Sequence, residues 1–232
     1  MSILHILSKK EGFTLSELLV AMVISGVVMA AMYSSYYSQQ KSYVVQEQVA
    51  AMQQNLRAAM FYMEKEIRMA GCNSKRSADA GITTANANSV AFTEDIRGAA
   101  EGSNPDGDTN DPNESITYYL SGGNLLRDDV NGVGNQTIAE DIDALNFVYL
   151  DGASPPNLLD DDGNGNVTTN ISQIRSVQIS VVARAGREDP QYTNTTAYYN
   201  QQDAVNPILA AQNDAFRRRL LTTTIRCRNL GL

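Results

Sequence analysis

Apolar residues along this chain first crowd into one block, then space out at a helical period, and finally alternate. Residues 13–33 (FTLSELLVAMVISGVVMAAMY) form an almost unbroken apolar run whose one acidic residue is Glu17. Wound as an α-helix, the run is roughly 30 Å long, the thickness of a bilayer's hydrocarbon core. Beyond Ser34, Val45, Val49, Met52, Leu56, Met60, Met63 and Ile67 recur three and four residues apart, with Gln, Glu, Lys and Arg between them. That is a single amphipathic stripe. The two patterns together predict one helix over 13–70, about 87 Å long, with Gly71 as its stop signal.

Past Cys72 the helical period ends. Residues 73–88 are small and polar and read as a loop, and 89–96 (SVAFTEDI) as a strand. Residues 101–114 form an acidic stretch of turn formers. Segments 115–120 and 124–129 flank Ser121-Gly122-Gly123, a hairpin signal. In 144–150, Leu145, Phe147 and Tyr149 share a face; 151–170 is a loop of Gly, Asn, Asp and Pro. The clearest strand is 175–184, where Val177, Ile179, Val181 and Ala183 alternate with Ser176, Gln178 and Ser180. Residues 186–213 read as a polar excursion, and Leu221, Thr223, Ile225 and Cys227 share a face of a closing strand. The fold class is α+β: a long N-terminal helix laid on an antiparallel sheet, with long acidic loops outside.

Composition narrows the chemistry. The 232 residues carry a formal net charge of −8, which argues against generic binding to a nucleic-acid backbone. His5 is the only histidine, so the chain beyond it cannot build a Ser-His-Asp or Cys-His pair or a histidine-ligated zinc site. No GxxxxGK[ST] stretch marks a nucleotide motor. These absences point away from an enzyme. Lys9 and Lys10 precede the apolar run, so the positive-inside rule keeps the N-terminus cytoplasmic and sends the rest outside.

The string Gly12-Phe13-Thr14-Leu15-x-Glu17-Leu18-Leu19-Val20-Ala21 closely resembles the type IV prepilin processing motif. The resemblance implies a leader over 1–12, cleavage between Gly12 and Phe13 by a prepilin peptidase, and N-methylation of Phe13. A long helix over 13–70, transmembrane in its first part, and a periplasmic β-rich head over 71–232 would follow. Glu17 matches the family's acidic residue, which is thought to neutralise the terminal amine of a neighbouring subunit. Physical chemistry agrees, since a buried carboxylate needs a cationic partner. Without its leader the chain keeps 16 basic and 25 acidic residues, a net charge of −9.

Three further segments, MEKEIRMAGC (63–72), VQISVVARA (177–185) and RRRLLTTTIRCRNL (217–230), are similar to PilW-type minor pilins; the first is also similar to J-type pseudopilins of type II secretion. The resemblance implies a pilin fold and a minor pilin that primes or caps a pilus. Its expected partners are the major and other minor pilins, the inner-membrane assembly platform and membrane lipid, with nucleic acid not among them. Its expected location is the inner membrane and then the extracellular pilus. The pseudopilin alternative stays open at this point, as does an adhesive or calcium-binding head. Gly26, a weak helix former, is a place where the helix would loosen on leaving the bilayer.

Four features of the head invite a sharper reading. Asp160, Asp162 and Asn164 occupy positions one, three and five of a loop with Gly165 at six, as in an EF-hand, although the twelfth position is Ile171 and not glutamate. Calcium binding stands there against a solvated turn. The run Asp106, Asp108, Asn110, Asp111 lacks the glycine at six and is the weaker candidate. Cys72 and Cys227, the only cysteines, are an even pair in a chain expected to be exported, which favours a disulfide over two buried thiols. Arg217, Arg218, Arg219, Arg226 and Arg228 are better explained by pairing with nearby carboxylates than by DNA contact, and Tyr118, Tyr119, Tyr149, Tyr198 and Tyr199 by sheet packing than by carbohydrate binding.

Overall fold

A computed structural model describes residues 12–100 and 102–231. The leader expected over 1–12 therefore lies outside the described residues except for Gly12. Helix α1 spans Leu15–Met69, close to the span its periodicity predicts. Gly71 adopts φ +78°, a conformation that suits a residue without Cβ just past a helix end.

The chain divides into two compact units, one ending at Glu47 and the other running from Gln48 onward. In the first unit every residue from Gly12 to Val44 is exposed. The second unit contains the last turns of α1 and all the strands. There Met52, Leu56, Ala59, Met60, Met63 and Ile67 are buried, with Val49 packed at the margin. The predicted stripe is thus the face that covers the core, and each buried Leu, Ile or Met contributes about 1.5–3 kcal/mol.

The strands form two antiparallel sheets. The first is a meander in chain order: β1 (Ile82–Asn86), β2 (Ser89–Thr93), β3 (Ser115–Ser121), β4 (Asn124–Asp129) and β5 (Gly134–Ala139). The β3–β4 hairpin closes with Ser121 opposite Asn124. Gly122 at φ +59° and Gly123 at +78° make the two-residue turn, a geometry other residues resist. The second sheet has the order β7-β6-β8-β9, from β6 (Ile142–Leu150), β7 (Leu158–Leu159), β8 (Ser176–Arg184) and β9 (Arg218–Arg226).

Backbone and side-chain bonds join the sheets: Phe147 N donates to the Ala87 carbonyl at 2.8 Å, and the Tyr149 hydroxyl donates to that of Asn86 at 2.8 Å. Phe92, Tyr118, Phe147 and Tyr149 are fully buried between the sheets and the helix. The sequence-based reading missed β1, β5 and the two-residue β7, and ran β2 too far. The chain leaves that strand at Thr93, because Asp95 N turns away to bond the Cys72 carbonyl at 2.7 Å. Residues 186–213 hold no named strand, as expected. Both faces of β8 are nevertheless buried, Ser180 included. On its polar face, Gln202 reaches down from the excursion to Gln178.

Candidate functional site

The first turn of α1 holds the residues that the motif singles out. Gly12 and Phe13 precede the helix without regular structure, and Phe13 is 91 % exposed. Thr14 caps the helix: its N–H and its Oγ1 both donate to Glu17 Oε2 at 2.9 Å, and Glu17 N–H donates back to Thr14 Oγ1 at 3.3 Å. This reciprocal pair is a capping box, which satisfies amides that an exposed helix start leaves unpaired. Its signal, Thr-x-x-Glu, stands in the sequence, and Thr14 is the residue the motif-based reading passed over. Both Thr14 donors use one oxygen of Glu17. Glu17 Oε1 accepts no hydrogen bond among the described residues, so half of the carboxylate is left for another molecule.

From there to Tyr33 the exposed side chains are mostly apolar, and the helix is long and apolar enough to cross a membrane. Gly26 lies within it without interrupting it, and a Cβ there would meet nothing within 4 Å.

In the head, the helix is tied to the meander by a polar knot. Arg127 Nε donates to both oxygens of Glu66, at 3.1 and 2.9 Å, and the Tyr118 hydroxyl donates to Glu66 Oε2 at 2.5 Å. Arg127 Nη2 also reaches Asn113 Oδ1 at 3.1 Å. Glu94 is buried nearby. Burial foremost, then the charges of Glu66 and Glu114, push its carboxyl up to about 8.

The loop expected to hold calcium is closed on itself. Asp160 Oδ1 accepts from the amides of Asp162 and Gly163, while Asp162 Oδ1 accepts from those of Asn164 and Asn166. Asp162 Oδ2 accepts from Asn166 Nδ2 at 2.6 Å, and this bond leads the causes that hold its carboxyl down at about 2. Asp161 turns away to the amides of Thr168, Thr169 and Asn170. The Asn164 side-chain amide donates to the Asp162 carbonyl. Asp160 Oδ1 and both oxygens of Asp162 are thus used by donors of their own loop, while Asp160 Oδ2 accepts no hydrogen bond among the described residues.

Cys72 and Cys227 are free thiols, not the expected bridge. The closing segment does pass the helix end, where Asn229 Nδ2 donates to the Met69 carbonyl. The thiols, however, have different surroundings: Cys72 is half-buried beside Ser74 and Glu94, and Cys227 is buried in the hydrophobic core.

Of the terminal arginines, Arg217 pairs with Asp189 at 2.8 Å, and Arg218 with Asp143 and Asp214, each at 2.5 Å. Arg219, Arg226 and Arg228 are exposed. Tyr118 and Tyr149 are core residues, Tyr198 and Tyr199 are half-buried, and the Tyr119 hydroxyl bonds Asn135.

Comparison with known proteins matches both ends of the chain. The family model described as the prokaryotic N-terminal methylation motif matches residues 7–33, and that of type IV pilus-assembly protein W matches residues 124–229. No curated protein matches. Among solved structures, the chain is similar to a type IV-like pilin from Thermus thermophilus. That likeness has a TM-score of 0.53 at 14 % identity, over 78 % of this chain and 100 % of the other, and is one of fold. A methylation motif on a membrane-length helix, a pilin-like fold and a PilW match over residues 124–229, just under half of the chain, together support a minor type IV pilin.

Proposed function

We propose that this pilin is held in the inner membrane by the first part of α1, is cut after Gly12 by a prepilin peptidase, is methylated on Phe13, and then primes or caps a pilus. Its partners are the other pilins and the inner-membrane assembly platform, and its role is structural, without catalysis. The observation that carries this reading is the pairing of the 7–33 motif with an apolar surface that the isolated chain leaves bare from Phe13 to Tyr33. Such a surface needs lipid or neighbouring helices around it.

Glu17 supports the assembly step. Oε2 is committed to Thr14, while Oε1 is free to accept from the amine that cleavage creates on a neighbouring subunit. In an apolar surrounding that pair is strongly favoured over an unpaired carboxylate.

N-terminal sequencing and intact mass of protein from sheared pili test the proposal. A chain beginning at N-methyl-Phe13 is expected, and incorporation falling at least tenfold in Glu17→Ala while membrane levels hold. A pilus-associated chain that still begins at Met1, or unchanged incorporation of Glu17→Ala, overturns it.

A further inference from the structure

The loop between β2 and β3 contains a different carboxylate group from the one the EF-hand spacing suggests. Asp106, Asp108 and Asp111 each bring a carboxylate oxygen within 4.8 Å of the others. Two oxygens on one ion whose metal–oxygen bonds are about 2.4 Å lie at most about twice that distance apart, a limit that every pair in the group meets. None of the three is in an ion pair among the described residues.

Asp111 supplies the independent sign of a missing partner. The residue is only 8 % exposed, and its buried Oδ2 accepts no hydrogen bond. A carboxylate oxygen removed from water and left unpaired is costly, and native proteins give it a donor or a cation. The loop is also held in place from outside the group. Ser77 Oγ bonds the Gly107 carbonyl, Asn131 Nδ2 bonds that of Thr109, and Asp111 N–H donates to Glu114 Oε2. Asp106 and Asp108 are exposed, which leaves a path for an ion.

We propose that Asp106, Asp108 and Asp111 bind a divalent cation, of which calcium is the best fit, at the β2–β3 loop. Calcium accepts irregular oxygen sets and keeps water in the remaining positions, whereas magnesium demands near-ideal octahedral geometry. Three carboxylates on a partly exposed loop suit the weak range of extracellular calcium modules, about 10⁻⁴–10⁻³ M. Asp106 Oδ1 and Asp108 Oδ1 each accept one amide of their own loop, from Asp108 and Asn110, and keep their other oxygen free. The site is separate in the chain from the loop of Asp160, Asp162 and Asn164, and it does not depend on assembly into a filament.

Thermal melting of the full chain in detergent tests the site, with calcium chloride about tenfold above that range compared with chelator. The wild type is expected to gain roughly 3–5 °C in Tm. Asp108→Asn, an exposed change that leaves the buried groups alone, should lose most of the gain, and Asp162→Asn should keep it. In chelator, Asp111→Asn should melt no lower than wild type, since it removes an unpartnered charge. Identical wild-type curves in calcium and chelator overturn the proposal. So does a gain reproduced by potassium chloride of equal ionic strength, a gain that survives Asp108→Asn, or one that only Asp162→Asn abolishes.

Discussion

Arg127 on β4 and Glu66 on α1 face each other across the helix–sheet boundary, with the guanidinium side chain only 6 % exposed and the carboxylate side chain 20 %. Their bond fastens the last turns of the helix to the meander, and Tyr118 adds a second donor to the same carboxylate. Arg127→Ala leaves Glu66 without its cation in a place water hardly reaches. The expected loss is about 3–5 kcal/mol, or a fall in Tm of roughly 10 °C. Tyr118→Phe should cost about 1 kcal/mol. The double change Glu66→Gln with Arg127→Met should recover part of the first loss, and a double variant less stable than Arg127→Ala would contradict this account.

Glu94 sets a pH dependence of the opposite sign to that of most carboxylates. Its folded value, about 8, lies above the ordinary one, so the folded chain binds a proton that the unfolded chain gives up. Stability from this group is therefore greatest below about pH 4.5 and falls as pH rises toward 8. Glu94→Gln should melt higher than wild type at pH 8, by an amount on the order of a few kcal/mol, and the gap should close toward pH 5. A gap that stays constant across this window, measured by melting curves, would contradict it.

The arginine pairs act the other way at low pH. Arg217 holds the Asp189 carboxyl below its usual range, and Arg218 does the same for Asp214. Depressed folded values give stability that is complete above the ordinary carboxylate pKa and is lost as pH drops from roughly 4 downward. Arg218 is nearly buried, so Arg218→Ala should destabilise at neutral pH and flatten the acid limb of the melting profile. An acid limb unchanged in the variant would remove these pairs from the explanation.

Loss of the helix cap should be visible at the membrane end. Thr14→Ala removes the hydroxyl that donates to Glu17 Oε2 and accepts from Glu17 N–H, and should cost about 1 kcal/mol at the first turn. Amide exchange at Ser16 and Glu17 in detergent should then speed up about fivefold. Protection equal to wild type would mean that Thr14 does not cap α1.

The two thiols should differ in reactivity. Burial pushes the Cys227 thiol up to about 12, and that of Cys72 is also raised, though it is less deeply buried. Thiolate is the reactive form. Native protein should be alkylated slowly and at Cys72 alone, and denatured protein at both without reductant. Failure of either to react after denaturation would reveal a bridge.

The helix and the strands with strict alternation were legible because a single period governs many residues. Met52 to Ile67 keep one face, and Val177 to Ala183 keep another. The missed strands lack that regularity. In β1 a bulge between Ile82 and Thr84 breaks the two-residue period, and in β5 only Ala139 is buried. Glu17 was legible through its motif, whereas Thr14 was hidden in plain view by the same motif. Of the two acidic loops, spacing favours that of Asp160 and Asp162, while Asp111 stands out only once its burial is known. No spacing rule announces the contact between Glu66 and Arg127, which are sixty-one residues apart in the chain.

Strand β9 ends the order of the second sheet, and no named strand lies on its far side. Nine residues of free backbone would ordinarily invite another chain to zip alongside. The bulky cations Arg219 and Arg226 stand on this strand, exposed, and charge of that kind discourages such pairing. In a bundle of many like molecules crowded side by side, that guard would keep the heads from fusing, and cohesion would be left to the greasy stems.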